Sequence, residues 1–392
     1  MHSHAFYQDE NAAPTMNSKA LPSRNLNGGV VKQTQATFSS IRAPLSNISN
    51  VQYTLHAHQA VAKQVQTQQR SLPAPVCTNL TTEQKPTFFQ TPNAPTFDLD
   101  WSQMEQKNSS MLKSPGIDRL YEDDPQHVSS YCEDIMDHFK QIESRYLPDA
   151  NYMERQQDIS PFMRAILIDW LVDVHLKLRF QPETLYLAVN IVDRFLDVKQ
   201  VSRDKLQLCG VTAMLIAAKY EEVFAHEINE YVRLSADSCS KDQIIRMERV
   251  MLSHLNFNVT VATVFPFLRR YLKCGQCNTR TQFMANYLCE LVQQEIEMLQ
   301  FQPSVLACAA IYIGNKIESA LNNTPSIGWT YDLEYYSGYV VEDIQECVNF
   351  MVKVAKETSE RVKNIAVRQK YCSETRKQVA KYVARAVASM NF

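Results

Sequence analysis

The sequence predicts an all-α protein. Three observations carry this. From about residue 125 onward, apolar residues recur at i, i+3, i+4 and i+7, the spacing of one helix face. Several of these runs begin behind a serine or a proline, the residues that start helices. No run of four or more alternating residues makes a convincing strand.

The elements follow in chain order. Residues 1–124 are rich in Gln, Asn, Ser, Thr, Ala and Pro and poor in long apolar runs. Such a segment buries too little apolar surface to offset its chain entropy, so a disordered tail is expected. Residues 125–159 should hold a helix and a linker. The helix runs from about 124 to 146, with Tyr131, Ile135, Met136, Phe139 and Ile142 at helical spacing, and Pro148 ends it. Residues 160–258 read as five helices. The first starts at Ser160-Pro161 and the second at Pro182-Glu183. The third is capped by Ser202 and runs from 205 to 222, the fourth covers 226–234, and the fifth is capped by Ser240 and runs to 255. The third is apolar nearly all round and should be central. Residues 261–366 repeat the plan, with helices at 263–273, 279–299, 303–320, 331–338 and 340–364. Residues 367–392 form a basic, amphipathic extension.

Composition narrows the function. A net charge of -2 indicates neither a nucleic-acid nor a membrane surface, and no apolar run approaches the length of a membrane span. The N-terminus has no apolar core segment, so no signal peptide is expected. The ten cysteines show no framework of spacings, which points to free thiols in a reducing compartment. Cys274 and Cys277 form a lone CxxC that lacks the second pair a zinc site needs. No glycine-rich phosphate loop and no GxSxG is present, and Glu230 stands where a zincin helix would need its second histidine. No cofactor or metal is expected, nor any catalytic group.

One stretch stands out. At 163–171 the sequence reads Met-Arg-Ala-Ile-Leu-Ile-Asp-Trp-Leu, placing Met163, Ile166, Leu167 and Trp170 on one stripe with Arg164 and Asp169 off it. Most such stripes are core. Further pieces follow in order: Tyr152-Met153 and Asp158-Ile159 before it, then Asp193-Arg194-Phe195-Leu196, Lys205-Leu206-Gln207-Leu208, Ala218-Lys219-Tyr220-Glu221-Glu222 and Arg246-Met247-Glu248. Together they resemble the cyclin box of A- and B-type cyclins, over residues 125–365.

The resemblance implies two tandem five-helix cyclin-box repeats and roles for particular residues. Arg164 and Asp193 would be the family's internal ion pair. Lys219, Tyr220, Glu221, Glu222, Glu248 and Phe257 would lie on the face that binds a cyclin-dependent kinase. Met163, Ile166, Leu167, Trp170, Leu206 and Gln207, with Asp173 at the rim, would form an exposed groove. That groove would dock substrates and inhibitors bearing Arg-x-Leu type motifs. In the tail, Arg42, Leu45, Ile48 and Asn50 match the mitotic destruction box, Arg-x-x-Leu-x-x-Ile-x-Asn, which would be read by the anaphase-promoting ubiquitin ligase. Tyr152-Met153, Asp158-Ile159 and Arg246-Met247-Glu248 look A-type. Residues 174–177 and 201–203 lean toward B-type. The implied function is a non-catalytic regulatory subunit that activates a kinase in S phase and mitosis, located in the nucleus with exchange to the cytoplasm. The alternative is a cyclin-fold protein that binds transcription machinery. It would be expected to show a basic DNA-facing stripe and no destruction box.

Overall fold

The structure, a computed structural model, describes residues 116–392 except 325–327, 362–364 and 391. The pattern at 42–50 and the composition-based tail reading therefore lie outside the described residues.

The described chain begins with three 3-10 turns, Ile117–Tyr121, Pro125–His127 and Ser129–Tyr131, and then enters helix α1, Cys132–Glu143. The sequence predicts one helix from 124, but Val128 sits at φ 49, and a β-branched residue there interrupts helical geometry. These turns are clasped to a later helix. Asp118 accepts two hydrogen bonds from Arg270, at 2.5 and 2.7 Å, and Lys273 lies 3.7 Å above the Tyr121 ring. Burial raises the Asp118 carboxyl pKa, but the Arg270 contacts outweigh it and hold the group below its ordinary value. Further along, the Glu143 carboxylate accepts from the Ser304 amide and hydroxyl, both at 2.9 Å, which fixes the end of α1.

The first group of helices is α2 (Pro161–Leu178), α3 (Pro182–Val198), α4 (Leu206–Glu221), α5 (Ile228–Leu234) and α6 (Lys241–His254). Ser160 caps α2 through the Met163 amide. Ser240 and Gln243 form a reciprocal capping box at the start of α6. Ser202 does not cap α4; its hydroxyl donates to Asp204, and a 3-10 turn, Arg203–Lys205, precedes the helix. As expected, α4 is central: every residue from 206 to 218 is buried. It approaches α2 so closely that a Cβ on Gly210 would lie 2.6 Å from Leu167 Cδ1.

The second group is α7 (Val264–Cys274), α8 (Thr279–Val292), α9 (Pro303–Leu321), α10 (Tyr331–Ser337) and α11 (Val341–Glu360). Here α9 takes the place of α4 and packs on α7, α8 and α11. Two short helices close the chain, α12 (Ala366–Tyr371) and α13 (Val379–Ser389). The segment read as an extension is packed into this group: Val367, Val379 and Val383 are fully buried. Lys370 donates to both oxygens of Glu290 at 2.8 Å, in a pair almost without exposure.

Two side chains of α2 bind the second group. Arg164 makes a bidentate pair with Asp193, at 2.6 and 2.7 Å, and donates to the carbonyls of Gln293 and Gln294. Burial works against its charge, but Asp193 outweighs that and raises its pKa. Tyr152 completes the site, its hydroxyl donating to Asp193 at 2.8 Å. Asp169 lies off the apolar stripe of α2, the side that ordinarily meets solvent, yet it is 1% exposed. It accepts from Gln294 Nε2 and from the Ala366 amide, because the second group closes over that side of α2.

Candidate partner-binding face

The end of α4 and the outer side of α6 meet at Lys219 and Glu248. Lys219 Nζ donates to Glu248 Oε1 at 2.5 Å. The lysine is 46% exposed and the glutamate 15%, so the pair lies at the surface with its carboxylate half sunk. The sequence alone allows Lys219 to extend freely into water; the hydrogen bond holds it instead. Next to it, Tyr220 is exposed and its hydroxyl pairs with Thr260 Oγ1 at 2.6 Å.

Phe257 follows α6 and is 71% exposed. Asn256 and Phe257 have φ of 50° and 55°, in the left-handed region that bulky residues rarely occupy. The backbone strain is stored where an aromatic ring is turned out to solvent. Val223 and Phe224, just beyond α4, are each 88% exposed. They follow the end of the helical period, so periodicity does not single them out; two consecutive apolar residues in a loop were the available signal. Tyr220, Val223, Phe224 and Phe257 are thus four large exposed apolar side chains near the ends of α4 and α6. Exposed apolar surface of this kind marks a partner site.

The acidic pair divides. Glu221 is exposed, and its pKa is raised by partial burial and by the neighbouring Glu183 and Glu222. Glu222 is engaged in the scaffold: its Oε1 accepts from the Gln181 amide at 2.8 Å and from Thr184 Oγ1 at 2.5 Å, holding the start of α3.

The expected groove differs from the sequence reading. Met163, Leu167, Trp170, Leu206 and Gln207 are all buried, and Leu167 has no exposure because it lies over Gly210. Only Ile166 and the rim residue Asp173 reach solvent in part. Gln207 accepts from Ser238 at 3.2 Å, while its Nε2 has no hydrogen-bond partner among the described residues. The stripe is a shallow apolar floor with an unpaired donor beneath it, and not an open channel.

No cluster of three or more metal-binding side chains occurs among the described residues. Cys274 and Cys277 are buried free thiols, each pushed up to about 12 by burial. His226 Nε2 donates to the Leu178 carbonyl, 3.1 Å away. The nine described cysteines are all free, and no described helix is long and apolar enough to cross a membrane.

An all-helical double repeat that exposes large apolar side chains near the ends of the two helices joined by one surface ion pair defines a binding scaffold. The comparisons with known proteins name its family. The cyclin N-terminal domain matches residues 134–260 and the cyclin C-terminal domain residues 262–385. A G2/mitotic-specific cyclin-B of Spisula solidissima is 38% identical over 78% of this chain and 69% of its own length. A G2/mitotic-specific cyclin-B of Dictyostelium discoideum is 37% identical over 72% of this chain and 64% of its own. A G2/mitotic-specific cyclin-A of Hydra viridissima is 39% identical over 63% of this chain and 58% of its own. The chain belongs to the cyclin family and is of the mitotic A/B type. It spans less than two thirds of the length of the Dictyostelium and Hydra relatives, 64% and 58%.

Proposed function

We propose that this chain is the non-catalytic activating subunit of a cyclin-dependent protein kinase, of the A type, acting in S phase and mitosis. One observation carries the reading. A hydrogen-bonded Lys219–Glu248 pair joins the end of α4 to α6, and Tyr220, Val223, Phe224 and Phe257, near the ends of these two helices, are all exposed. A rigid helical face of this kind can hold a mobile helix of a kinase. It would move that helix's glutamate toward the catalytic lysine and reshape the activation segment. Exposed apolar anchors supply the affinity, and the charged pair supplies donors and acceptors for backbone groups.

Three finer proposals attach to it. The floor formed by Met163, Leu167, Trp170 and Leu206, with Ile166 and Asp173 at its edge, would seat the leucine of an Arg-x-Leu motif. The pattern Arg42, Leu45, Ile48 and Asn50 would direct destruction through the anaphase-promoting ubiquitin ligase. The site of action would be the nucleus.

The test is phosphorylation of a histone-type peptide by a purified, inactive cyclin-dependent kinase, with and without this chain. Strong activation, lost when Lys219→Ala and Glu248→Ala are combined, is expected. Absence of both binding and activation with every mitotic-type kinase would overturn the proposal.

A further inference from the structure

Helix α6 carries a second surface, away from Glu248. At 100° per residue, Arg246 and Val250 each lie about 160° around the helix from Glu248. On that side, α6, the end of α3 and the turn before α4 enclose a cleft of about 350 Å³. Its floor is apolar: Phe195, Leu208, Met247 and Val250. Its rim is cationic: Lys199, Lys205 and Arg246, with no carboxylate among the lining residues. Asp204 lies 3.1 Å from Lys205, whereas Lys199 and Arg246 form no ion pair among the described residues. Val250 is 40% exposed, and Val198, the last residue of α3, is 57% exposed.

An apolar floor under unpaired cations has a specific complement. The volume is at the small end of ligand sites, roughly 300–1,000 Å³, and suits one or two side chains. The rim cations have flexible stems and present point charges or a guanidinium fork to carboxylates. We propose that this cleft docks a short acidic peptide of a partner protein, one apolar side chain entering between α3 and α6 while flanking Asp or Glu residues pair with Lys199 and Arg246. The cleft would let one helix hold two partners at once, a kinase on the Glu248 side and an acidic peptide on the Arg246 side. The docking itself does not depend on the kinase reading, because it is measured without a kinase.

The test uses the full chain and fluorescein-labelled acidic octapeptides that carry Leu, Phe, Trp or Met as a central anchor, read by fluorescence anisotropy. Saturable binding is expected for at least one anchor. It should weaken by about tenfold or more when Lys199→Glu and Arg246→Glu are combined, and weaken again as salt screens the charges. Val250→Asp should abolish it at unchanged thermal midpoint, since Val250 is exposed. Replacing the anchor by glycine should also cost about tenfold. No saturable binding with any anchor would overturn the proposal. So would equal affinity for the charge-reversed chain, or equal affinity for the anchor-free peptide, which would mark general attraction to a basic surface.

Discussion

Removing Asp193 should unbalance a buried charge that holds both helical groups. The Arg164 guanidinium is fully buried and donates to four acceptors, two on Asp193 and two on the carbonyls of Gln293 and Gln294. In Asp193→Ala the cation keeps only the carbonyls. A stranded buried charge costs about 3–5 kcal/mol. The Tyr152 hydroxyl loses its acceptor as well, for about 1 kcal/mol more. The sum, roughly 4–6 kcal/mol, is a large share of the 5–15 kcal/mol by which proteins are about stable. Urea unfolding followed by circular dichroism would measure it as a lower midpoint at unchanged slope. Pairing Arg164→Met with Asp193→Leu should recover much of the loss, because no charge is then left alone. A loss below about 1 kcal/mol for Asp193→Ala would refute the reasoning, since the charge would then have other compensation.

Other expectations follow the same physics. His175 is buried with its pKa lowered to about 3, by burial and then by the nearby Lys370 charge. The folded state keeps it neutral while the unfolded chain takes up a proton below about pH 6.5, so stability falls as pH drops. At pH 5 its share is about 2 kcal/mol, and His175→Gln should flatten the urea midpoint between pH 6.5 and 4; an unchanged slope would contradict the assignment. Gly210→Ala would press on Leu167 and should cost about 1–3 kcal/mol by thermal melting, while also weakening any Arg-x-Leu peptide seated on that stripe. Asp118→Asn should release the N-terminal turns from α7, read as faster amide exchange at residues 117–131 with little change in the global midpoint.

Much of the fold could be read from helical periodicity and caps, and the misses have physical causes. The starts at Pro161, Pro182 and Lys241 coincide with proline or serine signals. Helix α8 was expected to run to 299 but stops at Val292, and a 3-10 turn, Ile296–Gln300, follows. Its apolar spacing continues, yet the Gln293 and Gln294 carbonyls are taken by Arg164, a partner 129 and 130 residues away that no local pattern reveals. The burial of Asp169 has the same cause: its partners, Gln294 and Ala366, come from the second group. The Arg164–Asp193 pair and the Lys219–Glu248 pair were legible only through the family resemblance, because spacing in sequence does not bring those residues together. Glu222 and the groove residues show the limit of that route. A resemblance names positions, but local packing decides which carboxylate is free and how deep a stripe lies.

The central claim is that the face around Lys219 and Phe257 binds a kinase. The equilibrium affinity of this chain for a purified cyclin-dependent kinase, measured by calorimetry for the wild type, Lys219→Ala and Phe257→Ala, tests it most directly. Phe257 is solvent-exposed and Lys219 half exposed, so neither change should unfold the chain. The account predicts that each weakens binding by about 2 kcal/mol or more, roughly thirtyfold, at unchanged thermal midpoint. Wild-type affinity in both variants would contradict it and move the kinase to another surface.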